Sequence, residues 1–82
     1  MSFTYVLWSK KLSKRYIGSA ADVTARLTQH NRGKSRFTSG GIPWVLLHQE
    51  FYPTFADARK REAFLKSGAG RKWLDENLPN PH

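Results

Sequence analysis

A chain of 82 residues with no cysteine cannot staple itself with disulfides or thiolate-bound metal, so its stability has to come from one apolar core. Three Trp, three Tyr and five Phe supply the large buried area per residue that so small a core requires. The length leaves little for a second independently folding unit, and a single domain over residues 1–82 is expected. The opening Met1-Ser2-Phe3-Thr4-Tyr5 has no basic segment followed by a long apolar stretch. No apolar run approaches the roughly 20 residues of a membrane-spanning helix. A cytoplasmic monomer without membrane contact is the expectation.

Residues Phe3 to Trp8 are aromatic and branched and read as a strand, followed by a polar turn around Ser9 to Ser13. A second short strand covers Arg15 to Gly18, which makes the pair an antiparallel hairpin with Lys10, Lys11, Lys14 and Arg15 near its tip or edge. Asp22 is a good N-cap for a helix from Val23 to Arg32 that stops at Gly33. Asn31 to Pro43 reads as a loop. The short bulky run from Trp44, continuing to about Phe51, reads as a buried strand, either central or third in the sheet. Thr54, with Asp57 three residues on, opens a helix from Phe55 to Lys66 that stops at Ser67-Gly68. A last helix from about Arg71 to Asn77 ends before Pro79 and Pro81. The order β-β-α-β-α-α predicts an α+β fold, a small three-stranded antiparallel sheet flanked by helices.

Polar residues interrupt the apolar faces of both long helices. Val23, Arg26, Leu27 and His30 fall at i, i+3, i+4 and i+7, a stripe that a helix turns towards its core. A buried unpaired arginine is costly, so Arg26 must either extend to solvent or stand at the lip of a pocket that needs positive charge. In the next helix Phe55, Ala58, Glu62 and Leu65 share a face, with Glu62 in an apolar place. Glu62 has possible ion-pair partners in Lys66 at i+4 and Arg59 at i−3. A carboxylate facing the sheet can instead hold a hard divalent cation. Tyr5 and Tyr16 are cross-strand neighbours if the hairpin turn is tight. Two phenols, an arginine, an imidazole and a carboxylate would then form a polar cluster inside a small fold, where conflicts between pattern and polarity mark functional sites.

Fourteen Lys and Arg against six Asp and Glu give a formal net charge of +8, which points to a polyanion. Nucleic acid is the expected partner, through phosphate neutralisation. Arg32, Lys34 and Arg36 surround Phe37 in the loop from Asn31 to Pro43, a pattern able to follow a backbone while the ring stacks on a splayed base. No recognition helix or finger is evident, so base-sequence readout is not expected.

These residues together resemble the GIY-YIG nuclease family, of the small single-domain bacterial type related to the catalytic domain of the excision-repair incision subunit. Phe3-Thr4-Tyr5 stands in the place of GIY, and Tyr16-Ile17-Gly18 is the YIG element itself. The spacing D-x-x-x-R-L-x-x-H from Asp22 to His30, then Asn31-Arg32-Gly33-Lys34, Pro43-Trp44 and Arg61-Glu62, follow in order. Ser19 follows the YIG element where some members carry lysine.

The resemblance implies a metal-dependent endonuclease that hydrolyses phosphodiester bonds in DNA, choosing structure over sequence, with a place in DNA repair. By the same resemblance Tyr5, Tyr16, Arg26 and His30 are catalytic, and Glu62 holds Mg²⁺ or Mn²⁺. Gly18 lets the strand end approach the substrate. Arg71 and Lys72 are candidates for the remaining polar position and, with Arg32, Lys34 and Arg36, for nucleic-acid contact. A lone catalytic module would take its targeting from a protein partner. The alternative is a non-catalytic nucleic-acid-binding module with the same fold.

Overall fold

The computed structural model describes residues 1–78. Three strands, β1 (Ser2–Ser9), β2 (Lys14–Ala20) and β3 (Trp44–Tyr52), combine with three α-helices, α1 (Val23–Asn31), α2 (Phe55–Leu65) and α3 (Gly68–Asn77). The order is the expected β-β-α-β-α-α. The sheet is antiparallel with strand order β2-β1-β3, so the first strand is its centre. Pro79 and Pro81, read as the stop of the last helix, lie outside the described residues.

β1 is central, and seven of its eight residues are buried, with bulky side chains on both faces. Tyr5 and Leu7 point to one side and Val6 to the other, and all three are buried. The first side packs Tyr5, Leu7 and Ala20 with Val23 of α1 and Trp44. The second packs Val6 and Ile17 with Leu65 of α2 and Leu74 of α3. Two thin cores therefore flank one sheet, a layered arrangement that gives each face of a small sheet its own cover.

The strand beginning at Trp44 is an edge strand, not a buried one. Val45 is 49% exposed and Leu46 38%, while only Trp44 in that run is buried. A short apolar run announces a strand, but what covers it is decided by distant elements. A register shift against Val6 and Leu7 of β1 puts an irregularity in β3 near Leu47.

Helix starts follow side-chain capping. Asp22 accepts from Ala25 N at 3.0 Å and Thr54 from Asp57 N at 3.1 Å, as the sequence predicts. Ser67 does the same for Gly70 N at 3.2 Å, so α3 begins at Gly68, three residues earlier than Arg71. Ser67-Gly68 thus starts a helix directly after stopping one. Gly70 is required there, because an added Cβ would collide with Phe64 O and with the Leu65 backbone.

Candidate active site

Strand register brings the two hairpin tyrosines together on the α1 side of the sheet. Tyr5 pairs with Gly18 and Leu7 with Tyr16, so the phenols are diagonal neighbours with ring centroids 6.4 Å apart. The Tyr5 ring lies over the bare Gly18, where an added Cβ would sit 2.5 Å from its Oη. Sequence reasoning assigns the missing side chain at Gly18 to substrate approach. The structure gives it a different neighbour, the phenol of Tyr5, which fills the space and reaches across the edge strand β2.

His30, at the last turn of α1, is buried between these phenols and the following loop. Its Nε2 lies 3.2 Å from Tyr5 Oη and its Nδ1 lies 2.8 Å from Thr38 Oγ1. The imidazole also meets the Tyr16 ring edge-on, with centroids 4.8 Å apart. Thr38 is itself buried and lies within 3.5 Å of Ser35 O. Donation of its hydroxyl to Ser35 O leaves Thr38 Oγ1 to accept from His30 Nδ1–H, which frees the Nε2 lone pair for Tyr5.

The loop that supplies Thr38 is tied at both ends. The Asn31 side chain accepts from Trp44 N at 2.6 Å and donates to Trp44 O at 3.0 Å. The Trp44 indole donates to Thr38 O at 2.7 Å, and Ser9 donates to Gly41 O at 2.7 Å. Arg32, Lys34 and Arg36 project from this loop into solvent, and Phe37 is 93% exposed among them.

Arg26 is exposed on α1, and its guanidinium still acts on the buried pair. Burial, then the neighbouring Arg26 charge, pushes the pKa of His30 below its ordinary value. Burial, then Tyr16, raises the Tyr5 phenol to about 12, against the opposing pull of Arg26 and with a small further rise from Glu62. Of the two readings of Arg26, the structure shows the one in which the side chain reaches solvent.

Glu62 arrives from the other face. It sits on α2 with its side chain 13% exposed, and Oε1 accepts from the Ser19 hydroxyl at 2.7 Å. Lys66 donates to Oε2 at 2.6 Å and Arg59 lies 3.6 Å from Oε1, so both ion-pair partners named from spacing are present. Burial alone would raise the carboxyl pKa. Hydrogen bonds from Lys66 and Ser19, with the charges of Lys66 and Arg59, bring it below the ordinary value. Of the face expected on α2, Ala58 and Leu65 are buried while Phe55 is 50% exposed. The helix is instead seated by Thr4 Oγ1 donating to Ala58 O at 2.7 Å and by Arg61 donating to both oxygens of Glu50 at 2.9 and 3.2 Å.

Tyr5, Tyr16 and His30 are thus in contact and Arg26 is within electrostatic reach, while Glu62, held by Ser19 on the α2 side of β2, reaches the group only as a minor charge effect on Tyr5. Arg71 and Lys72 are exposed on α3. Arg71 lines an open groove of about 470 Å³ that Tyr16 and Lys66 also line, and Lys72 does not line it. Two contributors escape sequence reasoning: Thr38, in a loop without periodic signal, and Ser19 as the hydrogen-bond donor that orients Glu62. No three of the His, Asp and Glu side chains among the described residues are grouped as a ready metal cage.

The chain has relatives over most of its length. A UPF0213 protein of Staphylococcus aureus is 42% identical over 60 residues, covering 72% of this chain and 73% of the relative. The solution NMR structure of a UPF0213 protein from Bacillus halodurans covers 93% of this chain and 84% of that one, at a TM-score of 0.55 and 28% identity. The family model described as the GIY-YIG catalytic domain matches residues 1–74. That match spans β1 through most of α3 and contains every side chain of the cluster, and the chain belongs to the GIY-YIG family of nuclease domains.

Proposed function

We propose that the chain is a metal-dependent endonuclease that hydrolyses phosphodiester bonds, with DNA as substrate and backbone shape as the basis of choice. The observation that carries this reading is the Tyr5 hydroxyl, 3.2 Å from a buried imidazole and subject to the charges of both Arg26 and Glu62. A packed strand tyrosine needs none of these neighbours.

At a pKa of about 12 the Tyr5 phenol is no free base at neutral pH, since the gap of about five units corresponds to roughly 7 kcal/mol. A relay moves the demand from Tyr5 to His30, whose own basicity is lowered by burial and by Arg26. Tyr5 Oη takes a proton from the attacking water as its own proton passes to the neutral Nε2 of His30, 3.2 Å away. His30 becomes the cation, with Thr38 accepting at Nδ1. The water oxygen forms the new bond to phosphorus, the bridging P–O bond breaks, and the leaving oxygen takes a solvent proton. Arg26 faces the charge that builds on the non-bridging oxygens.

Glu62 is the residue that would hold the divalent ion. Its carboxylate is held ionised and faces the sheet, which suits Mg²⁺ or Mn²⁺ bound by one protein carboxylate, with waters and phosphate oxygens completing the shell. Bound there, the ion supplies charge neutralisation at the phosphoryl group. Ser19 keeps Oε1 oriented, and the Lys66 ammonium on Oε2 must give way.

That occupied carboxylate is also what favours the second reading, a non-catalytic nucleic-acid-binding module in which Glu62 is only a structural ion pair. Labelled duplex, forked and bulged DNA, with matching RNA, incubated with Mg²⁺ or Mn²⁺ against an EDTA control, separates the two. Metal-dependent cleavage supports the nuclease. Tight binding without cleavage of any form supports the module. The targeting partner expected of a lone catalytic module would show as a co-purifying protein that redirects the cut.

A further inference from the structure

The groove on the outer edge of β2 is distinct from the cluster around His30, although Tyr16 belongs to both. Its walls are Lys14, Arg15, Tyr16 and Ile17 from β2, Leu65 and Lys66 from the end of α2, and Arg71 and Leu74 from α3. Four of the eight lining residues are cationic. Lys14, Lys66 and Arg71 are exposed, so their charges face solvent over an apolar floor made by Ile17, Leu65 and Leu74. Arg15 is different. One end of its guanidinium donates to Asp75 at 2.5 Å, while its other terminal nitrogen, Nη1, is shielded from solvent and has no hydrogen-bond partner. The charge an anion can reach in the groove is therefore that of the exposed Lys14 and Arg71, with Lys66 shared with Glu62.

The geometry points to a phosphate-binding groove for the nucleic-acid strand that flanks the cleaved bond. β2 and α2 run in opposite senses here: Glu62 meets Ser19, and Lys66, one helical turn later, lines the groove beside Tyr16. From Ser19 to Tyr16 the strand advances three residues, roughly 10 Å at about 3.3 Å each. At one phosphate per about 3.4 Å of duplex axis, the groove lies within a few nucleotides of the bond nearest Glu62. Tyr16 and Lys66 join the two sites, because Lys66 is bound to Glu62 and faces the groove at once. Only the position of the cleaved bond rests on the nuclease reading. The phosphate track itself does not.

The test uses a double variant, Lys14→Ala with Arg71→Ala, both exposed positions whose loss leaves the core intact. Binding of a fluorescent forked DNA is measured in EDTA over a range of salt, and individual phosphates are replaced by neutral methylphosphonates. The groove predicts that the log-log salt slope falls by about 1 to 2, since each duplex phosphate contact contributes about 0.9. It also predicts a methylphosphonate position that weakens the parent at least about fivefold and leaves the double variant unaffected. The charge-preserving pair Lys14→Arg and Arg71→Lys should restore the parental slope. An unchanged slope, or the same methylphosphonate sensitivity in parent and variant, overturns the groove even if the parent cleaves DNA. A parent that never cleaves but shows the slope change would overturn the nuclease reading and leave the groove standing.

Discussion

Gly18 and Tyr5 share one volume: a Cβ on the first would stand 2.5 Å from the hydroxyl oxygen of the second and 2.7 Å from its Cζ. The phenol is buried and fixed by His30, so it cannot swing aside without losing that bond. Gly18→Ala is therefore expected to cost about 1–3 kcal/mol of stability, the range for overpacking a filled interior. The relay geometry would be lost with it. Urea denaturation and a cleavage assay below the transition should show reduced stability together with at least about a tenfold slower rate, since a displaced proton acceptor costs one or more decades. A stable, fully active Gly18→Ala protein would show that the Tyr5 position is not required.

The pKa shifts fix the sign of the pH dependence. His30 is held below its ordinary value, so the unfolded chain binds its proton more readily, and stability is full above pH of about 6.5 and falls as the pH drops below it. Glu62 and Glu50 are also lowered, and their contribution is lost only below the ordinary carboxylate range. Tyr5 is raised to about 12, so its contribution is lost as pH rises from about 10 towards that value. Thermal melts across pH should show a first decline near pH 6 that shrinks in His30→Gln. An alkaline decline should shrink in Tyr5→Phe without vanishing, because Tyr52 is raised as well.

Phe37 touches little of its own protein at 93% exposure, so Phe37→Ala should leave the melting temperature unchanged. If its ring stacks on a splayed base, affinity for bulged or forked DNA should fall by about 1–3 kcal/mol, roughly five- to 150-fold. Fully paired duplex should be less affected. Equal loss on both substrates would remove the stacking role.

How much of this was legible in sequence depended on how local each signal is. The caps at Asp22 and Thr54 act within one turn, and their residues predict them. The polar residues at Arg26, His30 and Glu62 stood out because they break a helical stripe. What joins them is not local: His30 is placed by Thr38 in an irregular loop, and Glu62 by Ser19 in a strand 43 residues away. Arg61, visible only as part of a motif, proves to fix α2 by donating two hydrogen bonds to the Glu50 carboxylate and by lying 4.6 Å over the Trp73 ring. The edge position of β3 and the early start of α3 were hidden for the same reason. Val45 and Leu46 are apolar enough for a core, and Gly70 is a helix breaker until Phe64 and Leu65 press against it.

The claim that Glu62 serves a metal ion and not merely Lys66 is tested by Glu62→Gln, which keeps the shape and the Ser19 bond while removing the charge. The Glu62→Gln protein is expected to fold and to bind DNA like the parent, with Mg²⁺- or Mn²⁺-dependent cleavage at least about a hundredfold slower, the scale of one lost electrostatic contact worth roughly 3 kcal/mol. Isothermal titration with Mn²⁺ should lose its binding heat in parallel. If Glu62 is only an ion-pair partner, the substitution should cost about 1.5–3 kcal/mol of stability, the range for a hydrogen bond to a charged group, and the cleavage rate should stay near that of the parent. Parental cleavage by a well-folded Glu62→Gln protein would contradict the metal assignment.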